Sequence, residues 1–171
     1  MKKASEVGYV DVANYNSPAQ VVITGDEAAV AKAGELLMEA GARRVVPLAV
    51  SGAFHSKFLE NAVKEFASFV ADLDISSASI PVVTNVDAAA TIAADDFKNK
   101  MPRQIYSSVH WTQTIENMIK NGVDTFVEIG PGKVLAGLNR KINSDVKTFN
   151  VYDKESLEAT VNALKEEMAA V

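Results

Sequence analysis

The sequence predicts an α/β fold with parallel strand pairing in its later part, on three observations. Short apolar runs alternate along the chain with stretches of helical apolar spacing. The run Val123 to Ile129 passes through Gly130-Pro131-Gly132 directly into a helical pattern. A chain of 171 residues, 48% hydrophobic and 23% charged, has the make-up and length for one compact core.

In chain order, Gly8 to Ala13 alternates weakly and Gln20 to Thr24 is a short apolar run. Asn14-Tyr-Asn-Ser-Pro18 between them has the composition of a turn joining two strands. Val30, Ala33, Leu37 and Ala40 then take helical spacing and stop at Gly41, a plausible residue just past a helix end. Arg43 to Val50 reads as a strand, with Pro47 pointing to an edge or a bulge. Leu59, Ala62, Val63, Phe66, Phe69, Val70 and Leu73 mark one buried face of a long helix. Ile80 to Thr84 is a short strand, and Ala88 to Asp96 reads as a surface excursion. A helix over about Thr112 to Asn121 stops at Gly122. After the strand and glycine turn come a helix over about Lys133 to Ile142, a strand near Lys147 to Val151, and a closing amphipathic helix through Leu157, Val161, Leu164 and Met168. A sheet made of these strands alone lacks strong central members, which predicts missing N-terminal partners.

Composition narrows the function. The 17 Lys+Arg against 22 Asp+Glu give a formal net charge of −5, which argues against nucleic acid as a partner. No apolar run approaches the ~20 residues of a membrane helix, and no secretory signal opens the sequence. Zero cysteines excludes disulfide and thiolate chemistry, and two histidines leave little material for a metal site. The expectation is a soluble, cytoplasmic domain without a metal.

Ser51-Gly-Ala-Phe-His-Ser56 stands between a strand and the long helix, where open α/β sheets place their ligand crevice. His55 there reads either as a general base or as a histidine that merely bonds to backbone. Glu128-Ile-Gly-Pro-Gly-Lys-Val134 superficially suggests a phosphate loop, but the required Gly and Ser/Thr positions hold Val127 and Val134. A structural turn is the better reading, with Glu128 an acid, an orienting group or, better, half of an ion pair. Asn14, Asn16 and Asn85 lie in turns beside strand ends. Arg43-Arg44 is a small basic cluster, either solvated or facing an acidic partner or phosphate. No Gly-x-Ser-x-Gly nucleophile elbow occurs.

Five segments in order resemble the malonyl-CoA:acyl carrier protein transacylase family: Asn14 to Gly25, Ser51 to Ser56, Thr84-Asn-Val-Asp87, Arg103-Gln-Ile-Tyr106 with Val109-His-Trp111, and Glu128 to Leu135. The resemblance implies a partial ferredoxin-like subdomain (residues 1–50) followed by the C-terminal part of an α/β-hydrolase-like acyltransferase core (residues 51–171). It implies that His55 is the base for a serine nucleophile, oriented by the backbone carbonyl of Gln104. It places Phe54 and Asn16 at the substrate pocket, and Arg43 and Arg44 near the carrier-protein surface. Malonyl-CoA and a phosphopantetheinyl acyl carrier protein are implied as substrates, with no cofactor. The family's Gly-His-Ser-Leu-Gly elbow, its Gly-Gln-Gly oxyanion segment and its carboxylate-binding arginine are not in this sequence. The chain therefore resembles a C-terminal portion, inactive until joined by a missing N-terminal half. The competing expectation is a non-catalytic α/β module that binds a ligand or partner.

Overall fold

The computed structural model describes residues 1–50 and 52–169. Ser51, the first residue of the Ser51–Ser56 segment, lies outside them, as do Ala170 and Val171. The elements in order are β1 (Val10–Ser17), β2 (Gln20–Gly25), α1 (Glu27–Glu39), α2 (Lys64–Asp72), β3 (Val82–Val83), β4 (Ala90–Thr91), α3 (Ala94–Tyr106), α4 (Trp111–Lys120), β5 (Thr125–Ile129), α5 (Val134–Ile142), β6 (Lys147–Val151) and α6 (Lys154–Ala169). They form two compact units, Met1–Asn16 with Gln20–Thr114, and Ser17–Ala19 with Ile115–Val171.

In the first unit β1 and β2 are hydrogen-bonded neighbours. Only Pro18-Ala19 separates them, a connection short enough for antiparallel pairing alone. The turn thus falls later than the composition of Asn14 to Pro18 suggests. Asn14 and Tyr15 stay in the strand because a second partner holds them: Asn14 bridges in parallel to Val109, and Tyr15 N–H donates to the Val109 carbonyl at 2.9 Å. Apolar spacing makes α1 bury Ala29 and Ala33 against Ala4 and Val10, with Ile23, Val30 and Leu36 packed around them.

The long helix predicted from Leu59 to Leu73 is shorter. Its first part is a 3-10 turn at Lys57–Leu59, followed by turns up to α2. Bonds of the i to i+3 kind at Leu59, Glu60 and Ala62 replace the α ladder there. Val63 and Val70 are buried, while Phe69 is 61% exposed. The predicted strand over Arg43 to Val50 is not formed. The segment has no ladder partner among the described residues, and Val46, Leu48 and Val50 are 59%, 58% and 64% exposed. Within the predicted surface excursion lie β4, paired antiparallel to β3, and the start of α3. Pro102 stands inside α3. A proline there ordinarily ends a helix, which hides this one from pattern reading.

The second unit is a βαβ unit. β5 and β6 run parallel, in register from Thr125 with Lys147 to Ile129 with Val151. Parallel neighbours require a crossover, and α5 supplies it. Gly132, at φ +85°, makes the turn before α5 in a region that L side chains avoid. Both α5 and α6 pack on β6.

Candidate functional site

His55 stands at the meeting point of several chain segments of the first unit. Its backbone is left-handed, at φ +55°, a conformation that costs a side-chain-bearing residue about 1–3 kcal/mol and survives only where the surroundings impose it. They do so from α3. The His55 N–H donates to the Ile105 carbonyl at 3.2 Å, and the ring Nδ1 lies 3.0 Å from the Ser107 carbonyl. The last carbonyls of a helix have no partner within it, so the end of α3 is a ready acceptor for both groups.

A carbonyl oxygen can only accept, so the proton of the neutral ring sits on Nδ1 and the lone pair on Nε2. Nε2 is then free to take a proton from another group.

The sequence expectation that Gln104 supplies the orienting carbonyl is corrected here. The carbonyl in contact with the ring is that of Ser107, three residues further on. Three residues is about one helical turn, and Ser107 closes α3 in an extended conformation (ψ 155°) that turns its carbonyl out of the helix. Gln104 serves the neighbourhood through its side chain, whose Oε1 accepts from the Asn85 N–H at 3.4 Å. Asn85 in turn accepts from the His110 N–H at 3.1 Å, and the His110 ring stacks on Tyr15, centroids 5.3 Å apart.

The turn that carries Asn85 is itself pinned. Thr84 Oγ1 and the Ala89 N–H both donate to Asp87 Oδ1, while Lys100 Nζ of α3 reaches Asp87 Oδ2 at 2.9 Å and Thr91 Oγ1 at 2.7 Å. Burial works to raise the Asp87 carboxyl pKa. Hydrogen bonds from Lys100, Thr84 and the Ala89 N–H, with the Lys100 charge, outweigh it and hold the group below its ordinary 3.8.

Of the other predicted site residues, Phe54 is 58% exposed, its ring lying over Gly52 so that a Cβ there would stand 3.2 Å from it. Asn16 is half-buried on β1. Arg43 and Arg44 are exposed on the unpaired segment after α1. The structure thus joins His55 to the end of α3. Glu128 forms no ion pair among the described residues. Its carboxylate instead accepts the N–H groups of Leu135 and Ala136, at 3.1 and 2.8 Å, and so caps α5. Ser107 and Ile105 escape sequence reading because they act through main-chain carbonyls, which carry no side-chain signature.

No group of three or more His, Cys, Asp or Glu side chains that could hold a metal ion occurs among the described residues. No helix among them is long and apolar enough to cross a membrane.

Residues 2–166 match the family described as the acyl transferase domain. The chain belongs to the acyl transferase family. The chain is 43% identical over 166 residues to the malonyl CoA-acyl carrier protein transacylase of Bacillus subtilis, covering 97% of the chain and 52% of that relative. Among solved structures, the malonyl CoA-acyl carrier protein transacylase of Clostridium perfringens matches with TM-score 0.93 and 39% identity, over 99% of this chain and 53% of that one. A malonyl-transacylase solved in complex with its type II PKS acyl-carrier protein matches with TM-score 0.90 and 36% identity, over 95% and 52%. The chain thus spans about half the length of the relatives it matches.

Proposed function

We propose that this chain is the base-bearing, C-terminal part of a malonyl-CoA:acyl carrier protein transacylase of fatty acid synthesis, working in the cytoplasm. In that reading residues 1–50 are the incomplete ferredoxin-like subdomain and residues 51–171 the C-terminal part of the α/β-hydrolase-like core. The observation that carries it is the His55–Ser107 contact, which fixes the Nδ1–H tautomer and leaves Nε2 as a base. The serine comes from the other half. His55 Nε2 takes the serine hydroxyl proton as Oγ attacks the malonyl thioester carbonyl. The C–S bond then breaks and the departing CoA sulfur receives that proton. The carrier-protein thiol reverses these steps on the acyl-serine. The Ser107 carbonyl replaces the acid of a Ser-His-Asp triad as a neutral acceptor. Phe54 crowds the α-carbon of the acyl group, Asn16 lies at the pocket edge, and Arg43 and Arg44 meet the acidic carrier protein. The exposed apolar run from Val45 to Val50 supports a further segment packing there, since such an unpaired edge invites a strand.

The test measures malonyl transfer to carrier protein by this chain, by the N-terminal half of a relative such as the Bacillus subtilis enzyme, and by their mixture. Each half alone should stay near background, and the mixture should transfer. His55→Ala in the mixture should lower the rate about 10²–10⁴-fold. Robust transfer by the chain alone, or by the mixture carrying His55→Ala, overturns the reading. Carrier-protein binding without transfer in the mixture supports instead a non-catalytic binding module.

A further inference from the structure

His55 is held from a second side, by a residue far from it in sequence. The Tyr9 hydroxyl oxygen accepts the backbone N–H of Lys57, two residues past His55, at 3.2 Å. The Tyr9 ring meets Phe58 edge-to-face with centroids 5.0 Å apart, and Lys57 Nζ lies 4.1 Å above the same ring. Three contacts of different kinds thus gather residues 57 and 58 onto one side chain.

Tyr9 is itself fixed by its backbone. Its N–H donates to Asp26 Oδ2 at 2.7 Å and its carbonyl accepts the Asp26 N–H at 2.7 Å, a two-way clamp. The clamp depends on Gly25, at φ +153°. A Cβ there would stand 2.1 Å from the Tyr9 carbonyl oxygen and 2.7 Å from Val10 Cα. Asp26 opens α1 yet makes no side-chain cap bond to that helix, so its carboxylate is given over to Tyr9.

On the other side of Tyr9, the chain from Ala53 to Leu59 is drawn tight. Buried Ser56 donates its hydroxyl to the Ala53 carbonyl, closing a loop around Phe54 and His55, and the Leu59 N–H bonds to the Ser56 carbonyl at 3.1 Å. A residue at φ +55° relaxes unless both flanks are held. The end of α3 holds His55 itself, and Tyr9 holds Lys57 and Phe58 on its C-terminal flank.

We infer that Tyr9 is a positioning residue for His55: its hydroxyl, through Lys57 N–H, keeps the left-handed backbone that aims Nδ1 at the Ser107 carbonyl. The functional meaning of this rests on the reading of His55 as the base, but the geometry does not. The experiment therefore reads the ring in the resting chain, where the result is independent of acyl transfer.

Long-range ¹H–¹⁵N correlation of the 171-residue chain labelled in histidine reports which nitrogen of each ring is protonated. The chain has two histidines, and His110 serves as the internal reference. Tyr9→Phe keeps the ring against Phe58 and removes only the hydroxyl. Loss of one hydrogen bond should lower the Nδ1–H to Nε2–H ratio of His55 about 2–10-fold while the His110 signals stay in place. An unchanged His55 ratio overturns the proposal, and so does an equal movement of both histidines, which marks a general loosening of the fold. The unsubstituted chain gives a second reading, by hydrogen exchange. The Lys57 amide, on an exposed residue, should exchange at least several-fold more slowly than an unbonded amide. Exchange at the unbonded rate overturns the proposal without any variant.

Discussion

The neighbourhood of His55 and the β5–α5–β6 unit are built on opposite plans. In the second, order in space follows order in sequence. A strand, a glycine turn, a helix and a strand come one after another, and Glu128 caps the helix that begins six residues later. Around His55 the joining contacts span far more chain: 52 residues from His55 to Ser107, 48 from Tyr9 to Lys57, 96 from Ser108 Oγ to the Val12 carbonyl and 97 from Thr112 Oγ1 to the Tyr15 carbonyl. A local unit can be read from its pattern. A neighbourhood closed by distant backbone groups exists only once the chain has folded.

The contrast predicts where each region breaks. The largest effect on stability should come from Lys100→Met, because Lys100 is 15% exposed and joins α3 to Asp87 and Thr91. With Asp87 more than a third exposed, water recovers part of the loss, and the cost should be about 1–2 kcal/mol in the urea midpoint near pH 7. The effect should also depend on pH. The Asp87 pKa is depressed on folding, so its contribution is present above the unfolded value of about 3.8 and disappears as pH falls through the lower folded value. The urea midpoint of the unsubstituted chain should therefore fall on acidification below about pH 4. Lys100→Met should flatten that component. Equal acid slopes in the two proteins would show that this pair does not govern it.

A smaller effect is expected in the local unit. Glu128→Ala removes the acceptor of the Leu135 and Ala136 N–H groups and should cost about 0.5–2 kcal/mol by urea unfolding, with the His55 ring signals unmoved. Movement of those signals would show that the two plans are less separate than the contact spans indicate. The smallest effect belongs to Ser107→Ala. The contact uses the main-chain carbonyl, which survives the substitution, so the His55 tautomer ratio should hold and stability should stay within about 0.5 kcal/mol. A clear change in the ratio would mean that the serine side chain takes part.

Much of the fold was legible from residue spacing. α1, α4, β5, α5, β6 and α6 lie where apolar periodicity and the glycines at 41, 122, 130 and 132 place them, because each helix rests on bonds within a few residues and β5 and β6 pair across a single helical crossover. The misreadings share a cause. Arg43 to Val50 has the composition of a strand, but a strand also needs a ladder partner, and none pairs with it among the described residues. α3 persists through Pro102 because tertiary packing outweighs local preference, here against α2 and the Lys57–Leu59 turn.

The candidate site divides the same way. The ordered motifs and the ring chemistry of histidine made His55 a candidate from the sequence, and the chain belongs to the acyl transferase family. The sequence could not say that Ser107, rather than Gln104, turns its carbonyl to the ring, nor that Glu128 caps a helix. It held no sign that Tyr9 grips the residues after His55. Side-chain types and their spacing are written in the sequence. The direction of a carbonyl at a helix end, or the meeting of residues 9 and 57, is fixed only when distant backbone groups find their hydrogen-bond partners.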